Sequence, residues 1–578
     1  MPPSDSSSLD FPALPAAVRR GERCTYWRDL LLLAVVGGLW FCALLGLGPL
    51  SNQDEGRYTE IPREMAATGD YVTPRLNGVK YFEKPPLVYW LSALTFRRFG
   101  VNEFTARLWN GLFALGGVLL TYATARALAG RGAGIWAAVV LATTLMYYAM
   151  SQIVLLDMAA AVTISGALFA FLLAVREPPG RRRRGLFLAC YAFMALATLA
   201  KGLIGIALPG AVIFLWLLLL KRWRVLRPFH PFAGAVILLA IAAPWHVLAA
   251  RANPDFLHFY FIHEHWLRFT TRIHHRYQPW WFFLPFLAGG LFPWVFFAGQ
   301  AVRHSLAGGW KARRENPEAW FFLIWIMGIM AFFSISQSKL IPYILPVFPA
   351  AAVLLGRLLA GIWRGTPSSK FRPAGRAFIV TALLAAVAAV VTPGIKGQPE
   401  LSAYLPVLKV TVCGSMLLGA AAAGFGLRRN RPRVLLAAMA VSCAALLLAL
   451  HFGGAELRAT STKELAITLR PMLKPGDRVY NVGDYRQDLP VYLGRLVSLV
   501  DDQGELAFGI AAEPELTRAR FFNHEDLPGH WAQPGTAYAV MRRTSYDNLF
   551  FKLGLAHEVI AQTQGYVLVV KRPDQSQP

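Results

Sequence analysis

Long apolar segments constrain this chain more than any other feature. Runs of about 18 or more mostly apolar residues recur up to about residue 453, and such runs are typical of transmembrane helices. Only 16% of the 578 residues are charged, whereas soluble domains have about 25%. Mean hydropathy is accordingly high, at +0.42. The sequence therefore predicts a polytopic α-helical membrane protein.

The apolar runs predict about thirteen transmembrane helices, each near the length that crosses a bilayer. The predicted segments are 29–48, 105–126, 133–151, 157–175, 185–200, 203–220, 231–250, 280–301, 319–336, 341–361, 377–394, 406–427 and 434–453. The apolar segment from Pro85 to Phe96 is only about 12 residues long, too short to span. We expect it to lie along the membrane interface.

The distribution of basic residues predicts the orientation. With Pro85 to Phe96 excluded, every strongly basic loop falls on one side, which the positive-inside rule assigns to the cytoplasm. The net charge of +25 is thus explained by basic loops that lie next to anionic lipid headgroups. We therefore exclude nucleic-acid binding. We expect 1–28 to be a cytoplasmic tail, 29–454 the transmembrane domain and 455–578 a domain on the outer face.

The C-terminal region has the pattern of a soluble domain. Asp477 to Tyr480 and Tyr566 to Val570 alternate as strands do, and Thr462 to Leu473 has the pattern of a helix. We predict a small α/β domain with no metal or nucleotide motif. The five cysteines lie outside this domain, and we expect no disulfide framework.

Ionisable residues collect in the loops that this topology places on the outer face. Loop 50–104 carries Asp54, Glu55, Arg57, Tyr58, Glu83 and Lys84; outer turns carry Asp157, Lys201, Lys339 and Tyr343; segment 251–279 carries His258, His263, His265, Arg268, Arg272, His274, His275 and Arg276. Ionisable groups at membrane depth are costly and tend to mark a substrate path. We expect them to converge in one site.

Each residue also has a purely structural interpretation. Asp157 could cap the helix that follows it, and Lys201 could extend to lipid headgroups. Glu60 and Glu64 could be solvated or paired on an amphipathic helix that begins near Arg57. The histidines could be surface residues, and the tyrosines could belong to an aromatic belt.

Carboxylates and cations together suit transfer of a group from a lipid phosphate. Cleavage of a sugar–phosphate bond creates an oxocarbenium-like centre, which carboxylates stabilise, and a phosphate leaving group, which Lys and Arg stabilise. No GxxxxGK[ST] loop is evident, as expected if an activated donor arrives in the bilayer. A transporter would instead place ionisable groups through the bilayer midplane, on paired broken helices.

The segment DEGRYTEIPREMAATGDYVTPRLNGVKYFEKPPLVYW, which begins at Asp54, resembles the first periplasmic loop of the bacterial 4-amino-4-deoxy-L-arabinose transferases (ArnT). This family belongs to the GT-C glycosyltransferase superfamily. The motifs LLDMA, TLAKGLIG, HFYFIHEHWLRF and SQSKLIPYILPVFPA extend the resemblance over most of the membrane region. The resemblance implies an inner-membrane enzyme that transfers aminoarabinose from undecaprenyl phosphate to lipid A phosphates at the periplasmic face. Such transfer confers resistance to polymyxin and cationic peptides.

The resemblance also implies roles for individual residues. Asp54 and Asp157 resemble catalytic carboxylates. The substrate-binding residues implied are Lys84, Arg268 and Tyr343 at the carrier phosphate, with Glu55, Arg57, Tyr58, Lys201 and Lys339 in support. Glu83 and His263 resemble a zinc-binding pair, with His265 as the alternative. Structural zinc sites usually have about four ligands, so we expect no obligatory cofactor.

The acceptor decides which mechanism is expected. A lipid A phosphate monoester is largely ionised at neutral pH, so it needs little help from a general base. We expect direct attack with inversion, with Asp54 orienting the sugar amine and stabilising charge at C1. The alternative is a related GT-C transferase that uses another sugar, such as a hexosamine, or a protein Ser/Thr acceptor. We expect a monomer in contact with membrane lipids.

Overall fold

The computed structural model describes residues 20–51, 53–226, 228–272, 276–365, 371–391, 399–457 and 461–572. Helices make up most of the part before residue 458. They are α1 (Arg20–Cys42), α2 (Asp54–Thr68), α3 (Leu87–Phe99), α4 (Glu103–Ala129), α5 (Arg131–Thr143), α6 (Leu145–Ser151), α7 (Leu156–Arg176), α8 (Arg181–Lys201), α9 (Ile204–Leu220), α10 (Pro231–Ala252), α11 (Arg268–Thr270), α12 (Phe283–Gly290), α13 (Val295–Ser305), α14 (Pro317–Ile335), α15 (Val347–Trp363), α16 (Arg372–Val391), α17 (Pro399–Arg428) and α18 (Pro432–Leu457). A π-helix, His258–Leu267, leads directly into α11.

Each predicted apolar segment coincides with helix in the described ranges. Among the described residues, nine helices are long and apolar enough to cross a membrane. Two further segments are bent pairs, α5 with α6 at 63° and α12 with α13 at 101°. The remaining two, α9 and α15, are 17 residues long. The helical membrane fold is confirmed, whereas a count of thirteen spans stays a prediction.

Helix α7 lies inside the helical bundle. In its most apolar stretch of 18 residues, 94% of the residues are buried. It packs on α4, α8 and α9, and Gly166 allows close contact, because a Cβ there would lie 2.7 Å from the ring of Phe193. Helix α8 returns beside α7, so the end of α8 at Lys201 meets the start of α7 at Asp157.

Residues 50–104, which we call the first loop, contain α2, α3 and a two-stranded hairpin of β1 (Arg75–Leu76) and β2 (Val79–Lys80). Helix α2 corresponds to the helix that we predict to begin near Arg57, and it begins three residues earlier, at Asp54. Glu60 and Glu64 are not solvated, in contrast to one of our alternatives: Glu60 is buried and paired with Arg63, and Glu64 is also buried. The reason is that helices of the C-terminal domain cover α2.

The C-terminal domain contains a six-stranded mixed sheet, as the α/β prediction requires. Its strands are β3 (Arg478–Val482), β4 (Ser498–Val500), β5 (Phe521–Phe522), β6 (Ala537–Arg542), β7 (Glu558–Gln562) and β8 (Tyr566–Lys571), in the order β5-β4-β3-β6-β8-β7. Strands β5, β4, β3 and β6 are parallel, and β8 pairs antiparallel with β6 and β7. Its helices are α19 (Lys463–Leu469), α20 (Asp488–Leu493), α21 (Ala507–Ala512), α22 (Pro514–Thr517), α23 (Leu527–Ala532) and α24 (Arg543–Ser545).

The C-terminal domain and the first loop share one hydrophobic core. Ile61 and Met65 of α2 belong to the same buried cluster as Leu489 of α20 and Val540 of β6. The two parts approach closely: a Cβ on Gly56 would lie 2.6 Å from the backbone nitrogen of Asp488, and a Cβ on Gly509 would lie 2.3 Å from the backbone oxygen of Lys80. The domain is therefore packed directly on the loop that carries most of the predicted site residues.

Candidate functional site

A cavity of about 280 Å³ lies where the first loop meets the ends of α8, α9 and α14 and the π-helix. Its polar lining consists of Glu83, Lys84, Lys201, Glu264, His265, Arg268, Ser336, Ser338 and Tyr343. Its apolar lining consists of Leu203, Ile204, Ala207, Phe261, Trp266, Phe269, Phe332 and Phe333. Such a lining suits a ligand with a charged head and a hydrocarbon chain.

Two cations lie side by side in this cavity. The Arg268 guanidinium lies 2.7 Å from a Glu264 carboxylate oxygen and 3.6 Å from one of Glu83. The Lys84 ammonium lies 3.7 Å from Glu264 and 3.8 Å from Glu83. Arg268 also donates to the Tyr343 hydroxyl over 3.5 Å. The carboxylates hold both cations close enough to bind one phosphate group together.

The electrostatics of the cluster favour an additional anion. Burial lowers the pKa of Lys84, and the charge of Arg268 lowers it further, against the opposing effects of Glu264 and Glu83. Burial by itself raises the pKa of Tyr343, but the charges of Arg268, Lys201 and Lys84 outweigh it, so this pKa is lowered. A bound phosphate would stabilise the charged forms of the cations that burial disfavours.

Asp157 and Lys201 form an ion pair at the edge of the cavity, in which the Lys201 ammonium donates to Asp157 Oδ1. The same ammonium lies 4.7 Å from the centroid of the Tyr343 ring. Helix α7 has no side-chain cap at its start, so Asp157 does not cap it. Lys201 is directed to Asp157 and Tyr343 rather than to headgroups.

Asp54 stands at the start of α2 with its side chain 57% exposed, and Arg57 donates to it over 2.9 Å. The nearby Tyr58 is buried. Burial raises the pKa of its hydroxyl, Arg57 opposes this, and Asp54, Glu83 and Asp157 each raise it further. All three carboxylates therefore act electrostatically on one hydroxyl.

Arg57 connects Asp54 to the C-terminal domain. Its guanidinium lies 2.5 Å from a Glu505 carboxylate oxygen and donates to the Tyr81 hydroxyl over 3.1 Å. Glu505 also accepts from the Gln487 amide. Sequence reasoning missed Glu505, because no local signal relates two residues that are 448 positions apart.

Glu264 is the second residue that sequence reasoning missed. It contacts Arg268, Lys84 and the His263 ring, and is buried beneath the cationic cluster. A signal was present, since Glu264 stands four residues before Arg268, which is the usual spacing of an ion pair on one helical face.

The structure does not bring Glu55 and Lys339 to the cavity. Glu55 is buried, and its carboxylate accepts from Arg107, from Ser51 and from the backbone N–H of Val154. The Lys339 ammonium donates to two backbone carbonyls, that of Ser336 over 2.6 Å among them. Both side chains therefore stabilise the local chain, and neither lines the cavity, where we expected them to support substrate binding.

Within the described ranges, the histidines near the cavity have other partners. His265 donates from Nδ1 to the Tyr260 carbonyl over 2.6 Å, and its Nε2 accepts from the N–H of Leu203 over 3.3 Å. His263 contacts Glu264 over 3.0 Å. Within the described ranges no group of three or more His, Cys, Asp or Glu could hold a metal. His274 and His275 lie outside those ranges.

Comparisons of the sequence with known families match two parts of the chain. The family described as dolichyl-phosphate-mannose-protein mannosyltransferase matches residues 49–260. The family described as aminoarabinose transferase C-terminal domain matches residues 465–571.

Two curated relatives carry the same name. The chain is 31% identical over 502 residues to the undecaprenyl phosphate-alpha-4-amino-4-deoxy-L-arabinose arabinosyl transferase 2 of Sodalis glossinidius, covering 85% of this chain and 90% of the relative. It is 32% identical over 405 residues to the corresponding transferase of Erwinia tasmaniensis, covering 69% and 72%.

Two solved structures share the whole architecture. The crystal structure of ArnT from Cupriavidus metallidurans bound to undecaprenyl phosphate has a TM-score of 0.82 at 31% identity, covering 97% of this chain and 100% of that chain. The apo state of the same protein has a TM-score of 0.81, covering 96% and 100%. The similarity includes both the helical bundle and the C-terminal domain.

Proposed function

Because this chain belongs to the family of undecaprenyl phosphate–aminoarabinose arabinosyl transferases, we propose that it transfers 4-amino-4-deoxy-L-arabinose from undecaprenyl phosphate to a phosphate of lipid A. The chain is a multi-pass membrane glycosyltransferase of the GT-C fold. The observation that carries the proposal is the cluster of Lys84, Arg268 and Tyr343 beside Asp157 and Lys201, at a cavity with an apolar side.

The cavity fits the donor in two parts. The cations and the Tyr343 hydroxyl bind the phosphate of the carrier, with Arg268 able to bind two oxygens and Lys84 acting as a point charge. The apolar lining, which includes Phe269, Phe332 and Phe333, receives the first isoprenoid units. Donor binding then combines charge with hydrophobic burial.

The reaction balances without a proton. An oxygen of the acceptor phosphate attacks C1, the new C1–O bond forms, and the bond from C1 to the carrier oxygen breaks. Undecaprenyl phosphate leaves with the electron pair. The reaction consumes one monoester dianion, the acceptor phosphate, and one diester monoanion, the donor. It produces one of each, since the modified lipid is a diester and the released carrier is a monoester. Negative charge on the carrier phosphate increases as its bond to C1 breaks. Lys84 and Arg268 therefore stabilise the transition state more than they stabilise the bound donor.

The carboxylates act on the sugar. Asp54 is exposed on one side and held by Arg57 on the other, which leaves a carboxylate oxygen to orient the sugar amine and stabilise positive charge at C1. Asp157 assists through its pair with Lys201. Direct attack with inversion needs no nucleophilic carboxylate.

If lipid A is the acceptor, the location of the enzyme and the effect of its reaction on the cell follow. The enzyme lies in the bacterial inner membrane with its site and C-terminal domain on the periplasmic side. Addition of a cationic sugar masks negative charge on lipid A, which reduces binding of polymyxin and cationic peptides. Zinc at Glu83 and His263, and a monomeric state, stay predictions.

The test uses purified protein, labelled undecaprenyl-phosphate aminoarabinose and lipid A, with mass spectrometry of the product. The expected product is lipid A that carries a pentosamine. Asp54→Asn should reduce turnover by at least about 100-fold in folded protein, whereas Asp255→Asn, at an exposed carboxylate, should not. A hexosamine adduct, or sugar on protein Ser/Thr with unmodified lipid A, would overturn the proposal.

A further inference from the structure

The end of the helical bundle that lies opposite the cavity carries a dense group of cations. The first turn of α9 lines the cavity, and the last residue of α9, Leu220, lies about 25 Å along the helix from there. Helix α14 packs on α9 and runs antiparallel to it, from Pro317 to Phe333 at the cavity. The far ends of the two helices adjoin segments 221–226 and 310–318, which we call the basic end.

Hydrogen bonds join the two segments of the basic end. The Arg222 guanidinium donates to the Arg314 carbonyl over 2.9 Å. The Arg313 guanidinium donates to the carbonyl of Leu219 over 3.2 Å and to that of Trp310 over 2.7 Å. Segment 310–318 is therefore held against the end of α9, and the two segments form one surface.

This surface has a large excess of positive charge, with six cations and two acids. The cations are Lys221, Arg222, Arg224, Lys311, Arg313 and Arg314, and the acids are Glu315 and Glu318. Arg176 of α7 pairs with Glu318 over 2.8 Å. Burial lowers the pKa of Arg222, the charge of Arg314 lowers it further, and Glu318 opposes both effects. Cations that disfavour one another in this way favour an added anion.

Lys311 and Arg314 are the cations best placed to bind an anion from outside. They are the first and last residues of a 3₁₀ helix, in which side chains three residues apart lie in line. Both are exposed. Arg313, between them, is directed inward and lies 4.4 Å from the centroid of the Trp310 ring. The basic end therefore presents one ammonium and one guanidinium side by side.

Exposed tryptophans adjoin these cations. Trp310, next to Lys311, is 50% exposed, and Trp223, next to Arg222, is 43% exposed. Tryptophan is enriched where the acyl chains of a bilayer meet the head groups, because its ring is apolar and its N–H is polar. The basic end thus combines a phosphate-binding pair with rings that suit the membrane interface.

We propose that the basic end binds the phosphate of an anionic phospholipid head group, with Lys311 and Arg314 as the main contacts and Arg222 in support. A guanidinium bonds two phosphate oxygens at once, and an ammonium adds a point charge. Basic pockets between membrane helices are typical sites for anionic lipids.

A head group at this place connects the segment after α9 to the segment before α14. The opposite ends of both helices line the cavity, so the lipid stabilises the arrangement of two of the cavity walls. The inference concerns a site about one membrane thickness away from the cavity, and it does not depend on the proposed function.

The test measures lipid binding to the purified full-length protein in detergent by native mass spectrometry over a range of lipid concentrations. The probe is phosphatidylglycerol, compared with phosphatidylcholine of the same acyl chains, and inorganic phosphate is added as a competitor. Wild type should bind phosphatidylglycerol at least about 10-fold more tightly than phosphatidylcholine, since only the former offers uncompensated negative charge. Inorganic phosphate should compete poorly, because it lacks the acyl chains.

The double variant Lys311→Gln/Arg314→Gln should raise the Kd for phosphatidylglycerol by at least about 10-fold, the loss expected for charge-assisted contacts. Arg428→Gln/Arg429→Gln is the matched control, since it removes the same charge from two exposed positions at the end of α17. Its Kd should stay within about twofold of wild type. The thermal unfolding midpoint of each variant without added lipid checks its folding, and Arg314→Gln alone replaces the double variant if that variant does not fold.

Three results would overturn the inference. Equal weakening in the two double variants would show that binding follows net charge and not the basic end. Equal affinity for the two phospholipids would show that the head group is not recognised. Displacement of the lipid by an equal concentration of inorganic phosphate would assign the pair of cations to a free anion.

Discussion

Lys84 shows, at the scale of single residues, how the cavity selects an anion. Its side chain is 13% exposed beside a second cation, and among the described residues two shared carboxylates compensate the pair. An ammonium in this position is worth most when a doubly charged phosphate leaves the sugar.

Replacement of Lys84 tests this account. We expect Lys84→Met to lower kcat by about 10²–10³-fold, because the transition state loses a charge that faces the leaving phosphate. The measurement is steady-state transfer by purified protein, with binding of undecaprenyl phosphate measured in parallel. Arg98→Gln, at an exposed position near the end of α3, is the control. A kcat within twofold of wild type would remove Lys84 from the chemistry.

His265 makes the stability of the site depend on pH. Burial lowers its pKa from 6.5 to about 4. Between these values the unfolded chain binds more protons than the folded one, so the free energy of unfolding falls as pH drops from about 6.5 toward 4. We expect the melting temperature to be lower at pH 5 than at pH 7, and His265→Gln to reduce this difference. His258→Gln, at an exposed position, is the control; an identical pH response in His265→Gln and wild type would contradict the assignment.

At the scale of elements, the turn from α8 to α9 places Lys201. Gly202 adopts a positive φ of 91°, and the next glycine, Gly205, lets α9 pass close to α8. A Cβ at Gly205 would lie 2.3 Å from the backbone nitrogen of Thr198. Backbone cannot yield as a flexible side chain does, so the turn has little room for change.

Two glycines of α9 therefore predict opposite effects. Gly205→Ala should destabilise the protein by about 1–3 kcal/mol and reduce activity by displacing Lys201. Gly210→Ala meets nothing within 4 Å and should stabilise by about 0.5–1 kcal/mol, because alanine suits a helix better than glycine. Thermal unfolding and transfer rates of both variants provide the measurement. Unchanged stability and activity in Gly205→Ala would show that α8 and α9 are farther apart than the structure places them.

The interface between the first loop and the C-terminal domain offers a second matched pair. Glu505 reaches Arg57 and through it Asp54, whereas Glu513 binds Arg75 of the hairpin with two contacts of 2.9 Å. We expect Glu505→Gln to lower kcat by about 10-fold, because the buried Arg57 loses one of its two ionic partners, with the donor KM little changed. Glu513→Gln should affect stability only. Equal losses of kcat in both variants would mean that the interface acts through stability alone.

At the scale of the whole molecule, charge asymmetry predicts which face each domain occupies. With the predicted odd number of spans and the basic loops in the cytoplasm, we expect the N-terminus in the cytoplasm and the C-terminal domain in the periplasm. In a variant without the native cysteines, Gly565→Cys on the C-terminal domain should react with a membrane-impermeant maleimide in intact cells. Arg429→Cys, between α17 and α18, should react only after lysis. The reverse pattern would invert the topology.

Much of this fold follows from local sequence. The length and apolar character of a run favour a helix, and every predicted run contains helix within the described ranges, although two runs are bent pairs with a break between their helices. The outer loops also indicated Asp157, Lys201, Arg268 and Tyr343 as candidates, because charges at the ends of apolar helices are costly without a partner or ligand.

Tertiary packing decided what no local pattern could. Glu505 contacts Arg57, which lies 448 positions away in sequence. Glu55 pairs with Arg107 and not with a group of the cavity. The C-terminal domain buries the acidic face of α2. These contacts depend on how two folded parts fit together, which is a sum over many weak interactions far apart in the chain. The sequence by itself determined the helices and the charged rim, and the docking of one domain on the first loop determined which of those charges face a ligand.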